Sequence, residues 1–188
     1  MNDITNLTRL LENLIRLGTV DAVQLKPPRV RVKSGGILTA FLPWITLRAG
    51  LERCWAPPTE GEQVVLLSPS GQLNCGVVLA GLFSDQHPAN GEQDGLHRYT
   101  YRDGAVLEYD SLQHVLRAVL PEGGITELVS SGGIHITGPI IHQGDYTQTG
   151  NQVVTGTVTV SEDVTAAGIS LVTHVHTGNL GAPTSKPQ

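Results

Sequence analysis

The sequence predicts a mainly β protein, with a helix at the N-terminus, a small closed barrel after it and a long run of short strands toward the C-terminus. Glycine is abundant, with 22 of 188 residues, proline is present at 11, and only 15% of residues are charged. This composition favours short strands joined by tight turns. Beyond Tyr109 the only Phe, Trp or Tyr is Tyr146, so the C-terminal part lacks the aromatic residues that fill many cores.

Residues 1–18 are predicted to form an amphipathic helix. The apolar residues that follow the i, i+3, i+4, i+7 spacing of one helix face are Ile4, Leu7, Leu10, Leu11, Leu14, Ile15 and Leu17. Gly18 is the expected stop, because glycine readily adopts the left-handed conformation that closes a helix. Two interpretations stay open: the helix packs on its own domain, or it docks onto another subunit.

Residues 19–84 are predicted to form a barrel of five short strands. In "PRVRVKSG", Val30 and Val32 alternate with Arg29, Arg31 and Lys33, which indicates one apolar and one solvated face. The stretch "EQVVLLSPSGQLNCGVVLAGLF" reads as two apolar strands joined by a Pro-Ser-Gly turn. Both tryptophans and both phenylalanines lie between residues 41 and 83, so we expect an aromatic core here. An oligonucleotide/oligosaccharide-binding (OB) barrel has this size.

A polar linker over 85–97 is expected to lead into a strand-rich region over 98–176, with a C-terminal tail over 177–188. No Lys or Arg occurs between Arg117 and Lys186, while that interval holds five acidic residues. Thr155, Thr157 and Thr159 alternate with valines, as on the two faces of a strand. One chain of such short strands cannot enclose a core.

Copies of the same chain are the simplest partners for this region. Three chains wound about one axis can point Val, Ile and Leu inward and cover one another's strand edges. We therefore predict that 98–176 forms an intertwined homotrimeric β-helix, or prism. A single-chain β-solenoid is the competing interpretation, but the period of about 20–30 residues that many solenoids show is not visible.

Charge and motif content argue against several function classes. A formal net charge of -5 opposes nucleic-acid binding, which calls for a basic surface. Glu162 and Asp163 are adjacent and point to opposite faces of a strand, so no catalytic carboxylate pair is expected. No nucleophile elbow is present, and we expect no enzymatic activity. A β-helical polysaccharide-degrading enzyme is disfavoured for the same reasons, which leaves an OB-fold nucleic-acid or carbohydrate binding module as the alternative to a structural protein.

The chain resembles the baseplate assembly protein V family, the central spike of contractile phage tails and R-type pyocins. The stretches that carry the resemblance are the N-terminal helix, "ILTAFLPWITLRAG", "APPTEGEQVVLLSPSGQ", "GVVLAGLFS" and "EDVTAAGISLVTHVHTG". The resemblance implies a barrel whose N-terminal region attaches to the baseplate hub and tail tube, and a trimeric needle that pierces the outer membrane of a target cell. It also implies assembly in the bacterial cytoplasm as the baseplate tip of a phage tail or tailocin.

In that family a His-x-His motif near the C-terminus binds iron within the tip, and here it falls on His174 and His176. Side chains two positions apart on a strand share a face. Two histidines from each of three chains would supply six nitrogens in two layers, an octahedral set that suits iron(II), nickel or cobalt better than zinc. We expect one iron ion per trimer in a structural site, because no coordination position stays open. The alternative is a pair of exposed histidines on a fraying tail.

Overall fold

The structure is a computed structural model that describes residues 2–185, and it is mainly β with one α-helix. The helix α1 spans Asn2–Asn13. The strands in chain order are β1 (Ile15–Leu25), β2 (Pro28–Ser34), β3 (Ile37–Leu38), β4 (Gln63–Leu67), β5 (Val77–Leu82), β6 (Leu96–Thr100), β7 (Val106–Asp110), β8 (Val115–Val119), β9 (Thr165–Ala166) and β10 (Ile169–Ser170). The chain divides into two compact units, one ending at Val129 and one beginning at Ser130.

The prediction of a helix over residues 1–18 is wrong at its end, because the helix stops at Asn13 and Ile15 already begins β1. Gly18 lies inside that strand and does not cap the helix. A Cβ on Gly18 would stand 2.6 Å from Cγ1 of Val32 and 2.7 Å from the carbonyl oxygen of Lys33. Glycine is therefore needed at this position for the close approach of β1 and β2.

Strands β1 to β5 form one sheet in the order β3-β2-β1-β4-β5 with antiparallel neighbours. The chain beyond β3 continues to Trp44, which makes a parallel bridge to Val78 in β5. Across this bridge the N–H of Ile45 donates to the Val78 carbonyl (2.7 Å), and the N–H of Val78 donates to the Pro43 carbonyl (2.9 Å). The bridge joins the two sides of the sheet and closes it, which confirms the predicted OB-like barrel.

The barrel core is aliphatic, so the prediction of an aromatic core is wrong. The buried cluster consists of Val20, Val30, Val32, Leu42, Val64, Leu66 and Val78. Trp44 packs against this cluster while still partly exposed, and Trp55, Phe41 and Phe83 are exposed. In a barrel of this size, inward-facing Val and Leu already fill the interior, so the large rings lie at its surface.

Strands β6, β7 and β8 form a separate antiparallel sheet within the first compact unit. Because β6 begins at Leu96, the strand starts before the expected end of the linker at residue 97. Arg98, Glu108 and Arg117 face one another across the three strands. The Glu108 side chain is only 9% exposed and accepts from both guanidinium groups, at 2.8 and 3.0 Å. These contacts lower the pKa of Glu108, with the Arg117 hydrogen bond the largest cause and the Arg98 hydrogen bond next.

From residue 116 to residue 169 every residue is exposed in the single chain. The exposed aliphatic side chains there include Ile134, Ile136, Ile140, Ile141, Val153, Val158 and Val160. This confirms that the segment encloses no core of its own. Its trimeric β-helical arrangement stays a prediction.

Four glycines in this segment mark bends at a spacing of six residues. They are Gly138, Gly144, Gly150 and Gly156, with φ angles of 121°, 116°, 117° and 138°. Residues with a side chain rarely adopt such backbone φ angles, so glycine is the residue that permits these bends. The sequence therefore does carry a repeat, but with a shorter period than a solenoid turn.

Candidate metal centre

A small hairpin precedes the two candidate histidines. It consists of β9 and β10, joined by a two-residue turn at Ala167 and Gly168. Both turn residues have positive φ, 50° and 82°, which matches the twist that two-residue hairpins require. The hairpin therefore fixes the backbone at Ser170, which lies four residues before His174.

Ser170 orients His174 through its backbone carbonyl. This oxygen accepts from the backbone N–H of His174 (3.2 Å) and lies 2.8 Å from the Nδ1 atom of the same residue. A carbonyl oxygen can only accept, so Nδ1 of His174 carries the proton. The Nε2 atom of a neutral His174 then holds a free lone pair, the form in which imidazole binds a metal.

The rings of His174 and His176 lie together. Their centroids are 5.1 Å apart and their planes meet at 86°. His174 is half-buried, whereas His176 is exposed. The structure thus brings together the two residues that the His-x-His pattern singles out. They follow a turn over residues 171–173 and do not lie on a strand.

The chain after His176 folds back on it. The N–H of His176 donates to Oγ1 of Thr184 (2.9 Å), and the N–H of Thr184 donates to the carbonyl of His176 (2.7 Å). Thr177 and Pro183 form an antiparallel bridge beside these bonds. Residues 177–185 of the predicted tail therefore hold the backbone at His176, and these contacts argue against a fraying tail. Residues 186–188 of that tail lie outside the described residues.

Asp163 holds the hairpin before the two histidines, a role that the sequence analysis did not predict. Its Oδ1 accepts from the N–H of Val164 (2.8 Å) and from the N–H of Val172 (3.2 Å), so one carboxylate joins both ends of the hairpin. The hydrogen bond from the Ser170 side chain, followed by backbone donors that include Val172 and Val164, lowers the pKa of Asp163. An Asp placed just before a short hairpin was the available signal, since Asp often accepts from nearby backbone N–H groups.

Within residues 2–185, one chain brings two imidazoles together at this centre. Among residues 2–185 no group of three or more His, Cys, Asp or Glu side chains could hold a metal ion. Two ligands are too few for a closed site. The donor set nevertheless fits a metal, because His174 has its proton on Nδ1 and a second nitrogen ligand stands beside it. Further ligands would have to come from other chains.

The helices of the described residues fall short of the length that a membrane-spanning helix needs. Within the part of the chain that the structure describes, no helix is long and apolar enough to cross a bilayer. The single helix α1 has 12 residues, against about 20 for a spanning helix.

Comparison with known proteins agrees with this architecture. Residues 16–83 match the model of the type VI secretion system/phage-baseplate injector OB domain, which corresponds closely to the barrel described above. The spike protein of Escherichia phage P2 is 32% identical in an alignment of 215 residues that covers 100% of both chains. With a relative of this identity along its whole length, the chain belongs to the phage-baseplate spike family.

Proposed function

We propose that the protein is the structural central spike of a contractile injection apparatus, and that three copies hold one metal ion at the tip through His174 and His176. The observation that carries the proposal is the ordered pair of imidazoles, with ring centroids 5.1 Å apart and Nδ1 of His174 facing a carbonyl. The relative from phage P2 is named a spike protein, which supports the mechanical part. No enzymatic role is proposed.

The homotrimer is supported by the uncovered aliphatic side chains over 116–169. Burying one Val, Leu or Ile side chain stabilises a protein by about 1.5–3 kcal/mol, so this segment can gain much from neighbouring chains. The bends at six-residue intervals would turn each chain around a shared axis at regular steps. In the proposed trimer the strands of three chains cover one another's edges.

The metal would be held by six nitrogens, two from each of three chains. Six-coordinate nitrogen geometry suits iron(II), nickel or cobalt. One iron per trimer is the proposed content, because iron is the ion that the family resemblance implies. A metal bound this way supplies structural stability, because its binding free energy adds to the free energy of assembly. It would clamp the chain ends, where a trimeric needle has fewest neighbours.

The N-terminal region is proposed to contact the baseplate hub and tail tube. Ile4, Leu7 and Leu11 of α1 are 73%, 58% and 58% exposed. They lie on one side of the helix by their spacing. An uncovered apolar helix face of this kind is typical of a docking surface. The C-terminal region would meet the outer membrane of the target cell only transiently, during piercing.

A second candidate function is ligand binding by the barrel, as in an OB-fold nucleic-acid or carbohydrate binding module. A groove of about 440 Å³ is lined by Trp44, Trp55, Arg29, Arg48 and Arg53, among others. The two indole rings lie with centroids 5.9 Å apart. Aromatic rings beside arginines are what single-stranded nucleic acid and sugars stack on. Titration of the protein and of Trp55→Ala with an oligonucleotide and an oligosaccharide would show whether this groove binds either.

The experiment that tests the spike proposal is elemental analysis of the purified native oligomer, combined with its mass. We expect a mass near three chains and one iron per three chains. His174→Ala/His176→Ala should keep the trimer mass but contain no iron. His135→Ala/His142→Ala is the matched control and should keep both the trimer mass and the iron. A monomeric wild-type protein, or equal iron in the first double variant, would contradict the proposal.

A further inference from the structure

The geometry points to a positioning role for Asp163 and Ser170: we propose that they set the ring orientation and the Nδ1–H tautomer of His174. This inference rests on the proposed function for its purpose, since the oriented Nε2 atom is the one that would bind the metal. Both residues lie outside the His-x-His pair, and three sets of hydrogen bonds connect them to His174.

The first step is the clamp that Asp163 places on the hairpin. Its Oδ1 accepts from Val164, the residue before β9, and from Val172, the second residue after β10. The N–H of Leu171 also donates to the Val164 carbonyl (3.0 Å). The carboxylate therefore holds together two chain segments that the two-residue strands β9 and β10 alone join only weakly.

The second step is the turn that Ser170 builds. Its Oγ accepts from the N–H groups of Val172 (3.2 Å) and Thr173 (2.9 Å). A serine that bonds to the N–H two and three residues later holds the chain in a tight turn. The Val172 N–H is shared between Asp163 and Ser170, so the clamp and the turn form one network.

The third step joins this network to the imidazole. The turn directs the Ser170 carbonyl at His174, where it meets both the backbone N–H and Nδ1. Partners of this kind behind a histidine ligand typically change metal affinity by about 10–100-fold when they are removed. His176 has no such arrangement on its ring within the described residues, so the network favours His174 specifically.

The variants that test this role are Asp163→Ala, Ser170→Ala and the conservative Asp163→Asn. An asparagine amide oxygen can still accept from Val164 and Val172, so Asp163→Asn should rescue what Asp163→Ala loses. Glu162→Ala is the matched control. Glu162 is the neighbouring acid, and within the described residues it makes no hydrogen bond or ion pair.

The first readout is the tautomer of His174 in the metal-free full-length protein, measured by nitrogen-15 NMR of the imidazoles. We expect the Nδ1–H form in the wild type, in Asp163→Asn and in Glu162→Ala. In Asp163→Ala and Ser170→Ala we expect a shift toward the Nε2–H form that a solvated imidazole favours. An Nε2–H form in the wild type, or no change in the Ala variants, would overturn the inference.

The second readout is the rate of iron loss to a chelator at constant oligomer mass. Asp163→Ala and Ser170→Ala should lose iron about tenfold faster or more, while Asp163→Asn and Glu162→Ala should match the wild type. Equal rates in all variants would contradict the role at the metal. If the wild type holds no iron, the proposed metal site of the trimer is refuted. The tautomer measurement then still decides whether Asp163 and Ser170 position His174.

Discussion

Gly71 lies directly against Leu10, so that a Cβ built on Gly71 would stand 2.6 Å from the Cα of Leu10. This contact joins the helix α1 to the short 3-10 turn at Pro69–Gly71 in the connection between β4 and β5. A second link is the hydrogen bond from the Ser68 N–H to the Leu14 carbonyl (2.9 Å). The helix proposed to meet the hub is thus seated on the barrel through backbone contacts that tolerate no added side chain.

Gly71→Ala should destabilise the protein more than Gly104→Ala. Both glycines have positive φ, 70° and 87°, but nothing lies within 4 Å of a Cβ on Gly104. Each substitution costs about 1 kcal/mol of backbone strain, and Gly71→Ala adds about 1–3 kcal/mol for the clash with α1. Denaturant unfolding measures the difference, and equal losses would show that α1 is not seated on this turn.

Leu66→Ala should lower the free energy of unfolding by about 2–5 kcal/mol, because Leu66 is fully buried in the barrel core and its truncation leaves a cavity. Leu51→Ala removes the same atoms from a side chain that is 103% exposed and should change the value by no more than about 0.5 kcal/mol. Thermal or urea unfolding distinguishes them. Equal losses in the free energy of unfolding for the two variants would contradict the burial of Leu66 in a stabilising core.

Glu108→Gln should destabilise the β6–β8 sheet at neutral pH and lose this effect in acid. Because Arg117 and Arg98 lower the pKa of Glu108 in the folded state, its stabilising contribution is fully present above the pKa of the unfolded chain. That contribution disappears as the pH falls through the lower folded pKa. Melting temperatures of the wild type and Glu108→Gln should therefore converge at acid pH. Glu127→Gln, with no ion pair among the described residues, is the control, and parallel pH profiles for all three proteins would refute the argument.

Gly150→Ala should weaken the proposed trimer, since its φ of 117° is strained for any residue with a Cβ. The expected penalty is about 1–3 kcal/mol per chain, repeated in each of the three chains. Gly132 also has open space around it but no left-handed φ, so Gly132→Ala should leave the oligomer intact. The temperature at which the oligomer dissociates measures both effects, and an unchanged value for Gly150→Ala would argue against the six-residue bends.

Removal of the metal should lower the dissociation temperature of the wild-type oligomer to that of His174→Ala/His176→Ala. The reason is that a ligand bound only by the assembled state stabilises that state. The double variant should not respond to the chelator, because it has no metal to lose. A chelator effect of the same size on both proteins would mean that the metal acts elsewhere.

Local patterns in the sequence determined the parts of the fold that depend on neighbouring residues. The alternation around Val30 and Val32 predicts the buried face of β2, and the two apolar runs predict β4 and β5. The two-residue spacing of His174 and His176 also suffices to predict that their rings lie together. The six-residue spacing of Gly138, Gly144, Gly150 and Gly156 was visible in the sequence as well, but it is shorter than the repeats expected of a solenoid.

Only the tertiary structure decided between helix and strand where the sequence fits both, and which residues distant in sequence make contact. Ile15 and Leu17 fit both a helical period and a strand period. Pairing with Leu67 and Val65 of β4 places them in a strand, because backbone hydrogen bonds to β4 are available there. Likewise, the position of Asp163 before a hairpin indicates a bond to the neighbouring Val164 N–H, but its bond to Val172 depends on how the hairpin folds back. Periodicity reports which face a residue occupies, whereas hydrogen-bond partners depend on how the chain folds back on itself.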